Sequence, residues 1–194
     1  MFLLAVGILV VPLIPVVWIA KRRADALGKQ MREFAGLLEG GALSGHGARG
    51  RLEGRSLTLR LDPLVLQERT PVNARLVCSL DLERPLVSFE VKIPGLLGEA
   101  AQGLGLASGA KTGHPELDEF TWSGDAPVLK RAFSNEEAVE RLLRLLRERG
   151  IQRVYSEGTQ IVAEQRKERM AEFRAWRAHA LALDLLGLGK LLTA

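Results

Sequence analysis

Residues 72–82, VNARLVCSLDL, form the clearest strand pattern in this sequence of 194 residues. Every second residue in the segment is apolar: Val72, Ala74, Leu76, Cys78, Leu80 and Leu82. Because successive side chains of a strand point to opposite sides of a sheet, this spacing gathers the apolar side chains on one face. The segment therefore predicts a strand in an antiparallel sheet that is covered on one face.

Other short segments predict the rest of this sheet. Residues 48–52 and 56–61 flank Glu53-Gly54, a pair that is typical of a two-residue hairpin turn. The remaining predicted strands are residues 87–93, 120–123, 151–155 and 159–163. A small antiparallel sheet with one apolar face needs helices to cover that face, so the predicted fold class is α+β.

One covering helix has both ends marked in the sequence. Ser134 and Glu137 match the S-x-x-E capping box of a helix N-terminus, and Gly150 is a typical residue after a last turn. Helical spacing then aligns four apolar residues: Val139, Leu142, Leu143 and Leu146. A second helix is predicted over residues 21–39, where Leu27, Met31, Phe34 and Leu38 form an apolar stripe before Gly40.

Residues 1–20 carry no charge and predict a membrane anchor. As a helix they would span about 30 Å, the thickness of the hydrocarbon core of a bilayer. A cleaved signal peptide would carry its positive charge before the apolar run, and a core helix would keep a polar face. Pro12 and Pro15 are expected to bend the helix, and Trp18 to lie at the level of the lipid headgroups.

Basic residues directly after the anchor predict its orientation. Lys21, Arg22 and Arg23 would stay on the cytoplasmic side of a bacterial inner membrane, which places the N-terminus outside. Much of the net charge of +4 lies here, and the ten aromatic residues do not interleave with basic ones, so a nucleic-acid partner is not predicted. The lone Cys78 agrees with a reducing compartment.

The last thirty residues predict a helical extension. Residues 165–180 are charged with helical spacing, and residues 181–192 are rich in leucine but too short and too charged to span a bilayer. This helix can lie in the membrane interface, dock on a partner or pack back on its own sheet. Contact with membrane or partner is predicted for Phe173, Trp176, Leu181, Leu185, Leu188 and Leu192.

The sequence thus predicts four units along the chain. They are a transmembrane anchor at residues 1–20, a juxtamembrane helix at 21–39, a cytoplasmic α+β domain at 40–163, and a C-terminal amphipathic helix within 164–194. Two glycine motifs point to no cofactor. Residues 45–50 match G-x-G-x-x-G but lack the preceding strand and following helix, and residues 109–112 lack a glycine directly before the lysine.

One polar cluster is a candidate for catalysis or for a hard metal. It consists of His114, Glu116, Asp118, Glu119 and Asp125. If this domain is an enzyme, Asp118 and Asp125 would be the paired carboxylates, with His114 beside them. Helix caps and turn carboxylates explain the same residues more simply, because there is no second histidine at ligand spacing and no H-E-x-x-H motif.

The same region resembles a group of uncharacterised bacterial membrane-anchored proteins with a T-G-D-x-x-F-D-x-x-F-x-V-x-G-D type of pattern. The matching residues are Thr112, Gly113, Asp118, Phe120, Gly124 and Asp125. This chain departs from the pattern at His114, which replaces an acid, at Leu117, which replaces an aromatic, and at Phe120, which falls one place early. The resemblance implies an α+β domain behind an anchor, with no assigned reaction.

Taken together, these features favour a single-pass accessory or scaffolding subunit of a membrane protein complex, with the bilayer and other membrane-protein subunits as partners. Two alternatives remain open at this point. The first is a membrane-tethered enzyme or small-ligand module that uses residues 94–125. The second is a peripheral module that binds anionic lipid through its basic cluster and its leucine-rich tail.

Overall fold

A computed structural model describes residues 13–63, 73–94, 111–169 and 172–193, and only the backbone of residues 13–20, 23, 63, 73 and 166–169. The helices are α1 (Leu13–Gly36), α2 (Ala126–Ala132), α3 (Glu136–Leu143) and α4 (Ala175–Leu191). The strands are β1 (Glu39–Ser44), β2 (Gly47–Leu52), β3 (Arg55–Pro63), β4 (Asn73–Asp81), β5 (Phe89–Lys92), β6 (Thr121–Gly124), β7 (Arg153–Glu157) and β8 (Gln160–Arg169).

All of these strands belong to one antiparallel sheet, in the order β1-β2-β3-β4-β8-β7-β5-β6. The fold class is α+β, as predicted, but the sheet is larger than expected. One register row crosses the sheet on its inner face: Leu43, Ala48, Leu59, Cys78, Ala163, Val154, Val91 and Trp122. Every residue of this row except the edge residue Leu43 is buried.

The strand predicted at residues 72–82 is confirmed as β4, in the middle of the sheet. Cys78 pairs with Leu59 on one side and with Ala163 on the other. The hairpin predicted around Glu53-Gly54 joins β2 to β3, and both turn residues have positive φ, 49° and 75°. That geometry is what a two-residue turn of type I′ requires.

Helices α1 and α4 cover the inner face of the sheet. α1 packs on β1 and β2, while α4 packs on β4 and β8 and against α1 and α3. The predicted stripe supplies Met31 and Phe34 from α1, and Leu38 from just after it, to this core, with Phe34 fully buried. The stripe is therefore not a surface for a partner, because the domain itself occupies it.

Several local expectations were wrong. Residues 165–169, predicted to begin a helix, extend β8, because β4 offers backbone partners as far as the pair Asn73 and Arg169. The N-cap of α3 is Asn135 rather than Ser134; its Oδ1 accepts a hydrogen bond of 2.9 Å from the backbone N–H of Glu137. Strand β1 and helix α2 were not predicted.

Strand β1 lies at one edge of the sheet, and a bulge interrupts its register with β2 between Glu39 and Ala42. Gly41 sits in this bulge, where a Cβ atom would come within 1.8 Å of the carbonyl oxygen of Ala35. Only glycine allows the strand to turn back so closely onto the end of α1. A bulge of this kind also limits pairing of an edge with other strands.

The predicted anchor lies mostly outside the described residues. Of residues 1–20, the structure gives no account of 1–12, which include Pro12, and describes only the helical backbone of 13–20, which include Pro15 and Trp18. Among the helices that it does describe, none is both long enough and apolar enough to cross a membrane.

Candidate functional site

The two carboxylates predicted as a catalytic pair have different local roles. Asp118 Oδ1 accepts hydrogen bonds from the backbone N–H and the hydroxyl of Thr112, at 2.8 and 2.9 Å. Asp125 is exposed at the N-cap of α2, and its side chain makes no capping bond there. In the described part of the chain no hydrogen bond joins the two residues, so Asp118 closes a loop and Asp125 begins a helix.

The other members of this polar cluster are also engaged. Glu116 and Glu119 form ion pairs of 2.9 and 2.7 Å with Arg147. His114 donates its backbone N–H to the Thr112 hydroxyl at 3.1 Å, and its Nδ1 is buried without a hydrogen-bond partner in the described chain. Among the described residues, no group of three His, Cys, Asp or Glu side chains could hold a metal ion.

Five of the six C-terminal residues predicted to contact membrane or partner lie inside the domain. The buried ones are Phe173, Leu181, Leu185, Leu188 and Leu192. Their expected exposure was wrong because α4 packs back on its own sheet, which was the third placement considered for this helix. Trp176 is 61% exposed, and Lys21 and Arg22 are exposed on α1. The side chain of Arg23 lies outside the described residues.

A buried carboxylate fastens α4 to the helix across from it. Asp184, of which 8% of the side chain is exposed, accepts from Arg149 Nε at 2.8 Å and from Arg144 Nη1 at 3.3 Å. Arg144 begins the π-helical turn that continues α3, Arg144–Glu148, and Arg149 follows that turn. Such turns are rare and are often found at functional sites.

Next to this ion pair lies a cleft with a cavity of about 340 Å³. We call it the α4 cleft. It lies between the first turns of α4, the π-helical turn and the inner-face ends of β4 and β8. Its lining residues are Leu76, Glu148, Arg149, Gln165, Phe173, Arg174, Trp176, Arg177, Ala178 and Leu181.

The floor and the mouth of the α4 cleft differ in chemistry. Leu76, Phe173 and Leu181 form an apolar floor and are each at most 5% exposed. Arg177 lies at the mouth with its guanidinium 5.2 Å from the ring centre of Trp176, within cation–π distance. An apolar floor beneath a cationic mouth is suited to an amphipathic anion.

The outer face of the sheet carries a network of polar side chains that form hydrogen bonds and ion pairs with one another. Glu164 is 5% exposed and accepts from the hydroxyl of Tyr155 at 3.3 Å and from Arg153 Nη1 at 3.4 Å. Burial, followed by the charge of Glu164, raises the pKa of Tyr155. Burial also acts to raise the pKa of Glu90, but hydrogen bonds from Lys92 and Arg153 outweigh it and the pKa is lowered. The main charges of this network therefore satisfy one another.

Cys78 lies at the centre of the inner face and is fully buried, as its position in the alternating strand predicted. Burial raises the pKa of its thiol to about 12. Because the thiolate is the reactive form, this cysteine is chemically inert in the folded chain.

The sequence did not point to the α4 cleft. Its residues come from β4, the π-helical turn, β8 and the start of α4, which are far apart along the chain. Three of them, Phe173, Trp176 and Leu181, were predicted as membrane or partner contacts, but nothing in the sequence joined them to Leu76 or Arg149. Comparison with family models, curated proteins and solved structures found no match for this chain. The resemblance of residues 112–125 to membrane-anchored proteins stays a prediction.

Proposed function

We propose that this chain is a non-catalytic accessory subunit of a bacterial membrane protein complex. Residues 1–20 anchor it with the N-terminus outside, and the α+β domain lies in the cytoplasm. The continuity of α1 carries the proposal. This helix runs without a break from Leu13 to Gly36, and Phe34, about 21 Å along the axis from Ala20, is fully buried in the core. An anchor joined to the domain in this way fixes the domain against the membrane.

The charges on α1 support the proposed orientation. Lys21, Arg22, Lys29 and Arg32 are exposed on the helix, and Asp25 is the one acidic residue among them. Each basic side chain close to an anionic membrane surface contributes about 1 kcal/mol of attraction. The same excess of positive charge retains a flanking segment on the cytoplasmic side.

Surfaces for a partner must lie outside the core-forming stripes of α1 and α4. Three large apolar side chains that remain exposed are candidates. Leu37 follows α1 and Leu43 lies on the edge strand β1, each 48% exposed, and Trp176 lies in the first turn of α4. Aromatic side chains of this kind are enriched where protein interfaces have their strongest contacts. We therefore place the partner contact at these residues and along the anchor.

Protease protection tests the topology of the full-length chain. We expect the domain to survive added protease in intact spheroplasts and to be digested in inside-out membrane vesicles. Digestion in intact spheroplasts, or mature protein that begins after Ala26, would contradict the anchored cytoplasmic arrangement. A periplasmic protein assayed in parallel controls for the integrity of the membrane.

Photo-crosslinking tests the accessory role. A photo-crosslinking amino acid is placed at Trp176 or Leu43 and, as a matched control, at the exposed polar residue Glu157. We expect one membrane protein of defined mass to be captured from position 176 or 43 but not from 157. Equal products at all three positions, together with purification of the chain alone in mild detergent, would refute the role.

A further inference from the structure

We infer that the α4 cleft binds an anionic amphiphile, that is, an alkyl chain that carries a carboxylate or phosphate head. The inference combines the size of the cavity, the apolar floor and the cationic mouth. It does not depend on the anchor, so it goes beyond the proposed accessory role.

The floor accounts for the alkyl chain. Leu76, Phe173 and Leu181 come from β4, from the segment before α4 and from α4 itself, and all three are almost completely buried. The cavity of about 340 Å³ is at the lower end of the range for small-ligand sites, about 300–1,000 Å³. A ligand here is therefore small, with its chain on the three apolar side chains and the rest of it against polar ones.

The mouth accounts for the anionic head. The charged residues that line the cleft are Arg149, Arg174, Arg177 and Glu148, and Arg149 and Arg177 are the candidate contacts for the head. Arg149 uses Nε to bind Asp184, and its two terminal nitrogens have no hydrogen-bond partner among the described residues. Arg177 stacks on Trp176 and forms no ion pair within the same part of the chain. A carboxylate or phosphate matches the forked donors of such guanidinium groups.

The amphiphile can come from solution or from the membrane. The backbone N–H of Ala175, the first residue of α4, donates to Gln30 Oε1 on α1 at 2.9 Å. Gln30 lies about 15 Å along the helix from Ala20, so the start of α4 would be close to the bilayer surface if the anchor spans it. Membrane lipid as the source therefore rests on the proposed function, whereas a free fatty anion does not.

Quenching of tryptophan fluorescence tests the site in the full-length chain, reconstituted in phosphatidylcholine nanodiscs. A Trp18→Phe background leaves the exposed Trp176 and the buried Trp122. The probe is 2-bromoundecanoate, whose bromine lies next to the head and therefore close to Trp176, and 2-bromoundecanol has the same chain without the charge. Arg177→Gln removes a head contact, Ala178→Leu fills the cleft, and Arg84→Gln changes an exposed arginine elsewhere.

We expect saturable quenching by the bromo acid that disappears with Trp176→Phe. Binding should weaken about tenfold or more in Arg177→Gln, as for the loss of a charge-assisted contact, and remain unchanged in Arg84→Gln. Equal quenching by acid and alcohol, or an unchanged affinity in both Arg177→Gln and Ala178→Leu, would overturn the inference. Arg177→Gln alters an exposed residue, so this arm stands even if Ala178→Leu unfolds the domain.

Nanodiscs that contain brominated phosphatidylglycerol identify the source. Selective quenching of Trp176 by this lipid, relative to brominated phosphatidylcholine, would assign the site to membrane lipid. Binding of the bromo acid without any lipid quenching would support the cleft, assign it to free fatty anions and count against the proposed position beside the membrane. Failure of both probes would refute the cleft as a site.

Discussion

Two glycines of α4 provide a matched test of how this helix is packed. A Cβ atom at Gly187 would lie 2.1 Å from Nη1 of Arg141, at the far end of a partly exposed side chain. A Cβ atom at Gly189 would lie 2.4 Å from Cδ1 of Leu82 and 3.3 Å from Cγ2 of Ile161, both in the core. The two alanine substitutions add the same methyl group to the same helix but meet neighbours of different mobility.

These neighbours decide whether each substitution raises or lowers the free energy of unfolding. Replacing glycine by alanine within a helix stabilises it by about 0.5–1 kcal/mol. At position 187 the guanidinium of Arg141 can swing away and loses an exposed ion pair with Glu137, worth about 0.3–0.5 kcal/mol. Gly187→Ala should therefore raise the free energy of unfolding by about 0.5 kcal/mol or less. At position 189 overpacking costs about 1–3 kcal/mol, so Gly189→Ala should lower that energy by about 1 kcal/mol.

Urea titration of the full-length protein in neutral detergent, followed by circular dichroism, measures both variants. We expect the midpoint to move to higher urea for Gly187→Ala and to lower urea for Gly189→Ala. In an Arg141→Ala background, where no ion pair with Glu137 remains to be lost, Gly187→Ala should raise the free energy of unfolding by the full value of about 0.5–1 kcal/mol. A Gly189→Ala protein at least as stable as Gly187→Ala would refute the packing of α4 described above.

Three other predictions concern single side chains. Asp184→Asn should lower the free energy of unfolding by about 2 kcal/mol in the same titration, because two arginines lose a buried charged acceptor. The exposed control Glu137→Gln should lower it by less than about 0.5 kcal/mol. Equal losses would contradict the buried pairing. Cys78 should resist thiol reagents at pH 8 until the protein unfolds. Its folded pKa of about 12 lies above the unfolded value near 9.0, so its contribution to stability should be complete below pH 9 and be lost as the pH rises from 9 to 12, relative to Cys78→Ala. Asn135→Ala should cost about 1 kcal/mol and Ser134→Ala clearly less, and the reverse order in thermal melts would restore Ser134 as the cap.

The sequence predicted the parts of the fold that depend on local pattern. The alternation in residues 72–82 and the turn at Glu53-Gly54 each specify a strand or a hairpin from a few neighbouring residues, and both are confirmed in β2, β3 and β4. The fully buried Cys78 followed from the same alternation.

Features that depend on distant pairing were not predictable in this way. Residues 165–169, QRKER, are good helix formers. They form a strand because the backbone of β4, on the side away from β3, supplies hydrogen-bond partners for them. The position of β5 and β6 beyond β7 depends likewise on contacts between segments more than fifty residues apart.

The candidate site was missed for a related reason. Nothing in the sequence around Leu76, Arg149 or Arg177 marks any of them as different from other leucines and arginines. They share a cleft only because β4 and β8 pair, and because Asp184 holds α4 against the end of α3. The carboxylates Asp118 and Asp125 were noticed because they are close in sequence, and the structure gives them separate roles, in a loop and at a helix N-cap.

Helix α1 fixes the rotation of the domain about the helix axis, relative to residues 13–20. Each residue of an α-helix advances the chain by about 1.5 Å and rotates it by about 100°. The C-terminal part of α1 is built into the core through Met31 and Phe34. One residue inserted near Ala26 would therefore rotate the domain by about 100° about the helix axis, relative to residues 13–20. The number of residues in α1 before Met31 thus determines the direction of each domain surface as strongly as the side chains determine its chemistry.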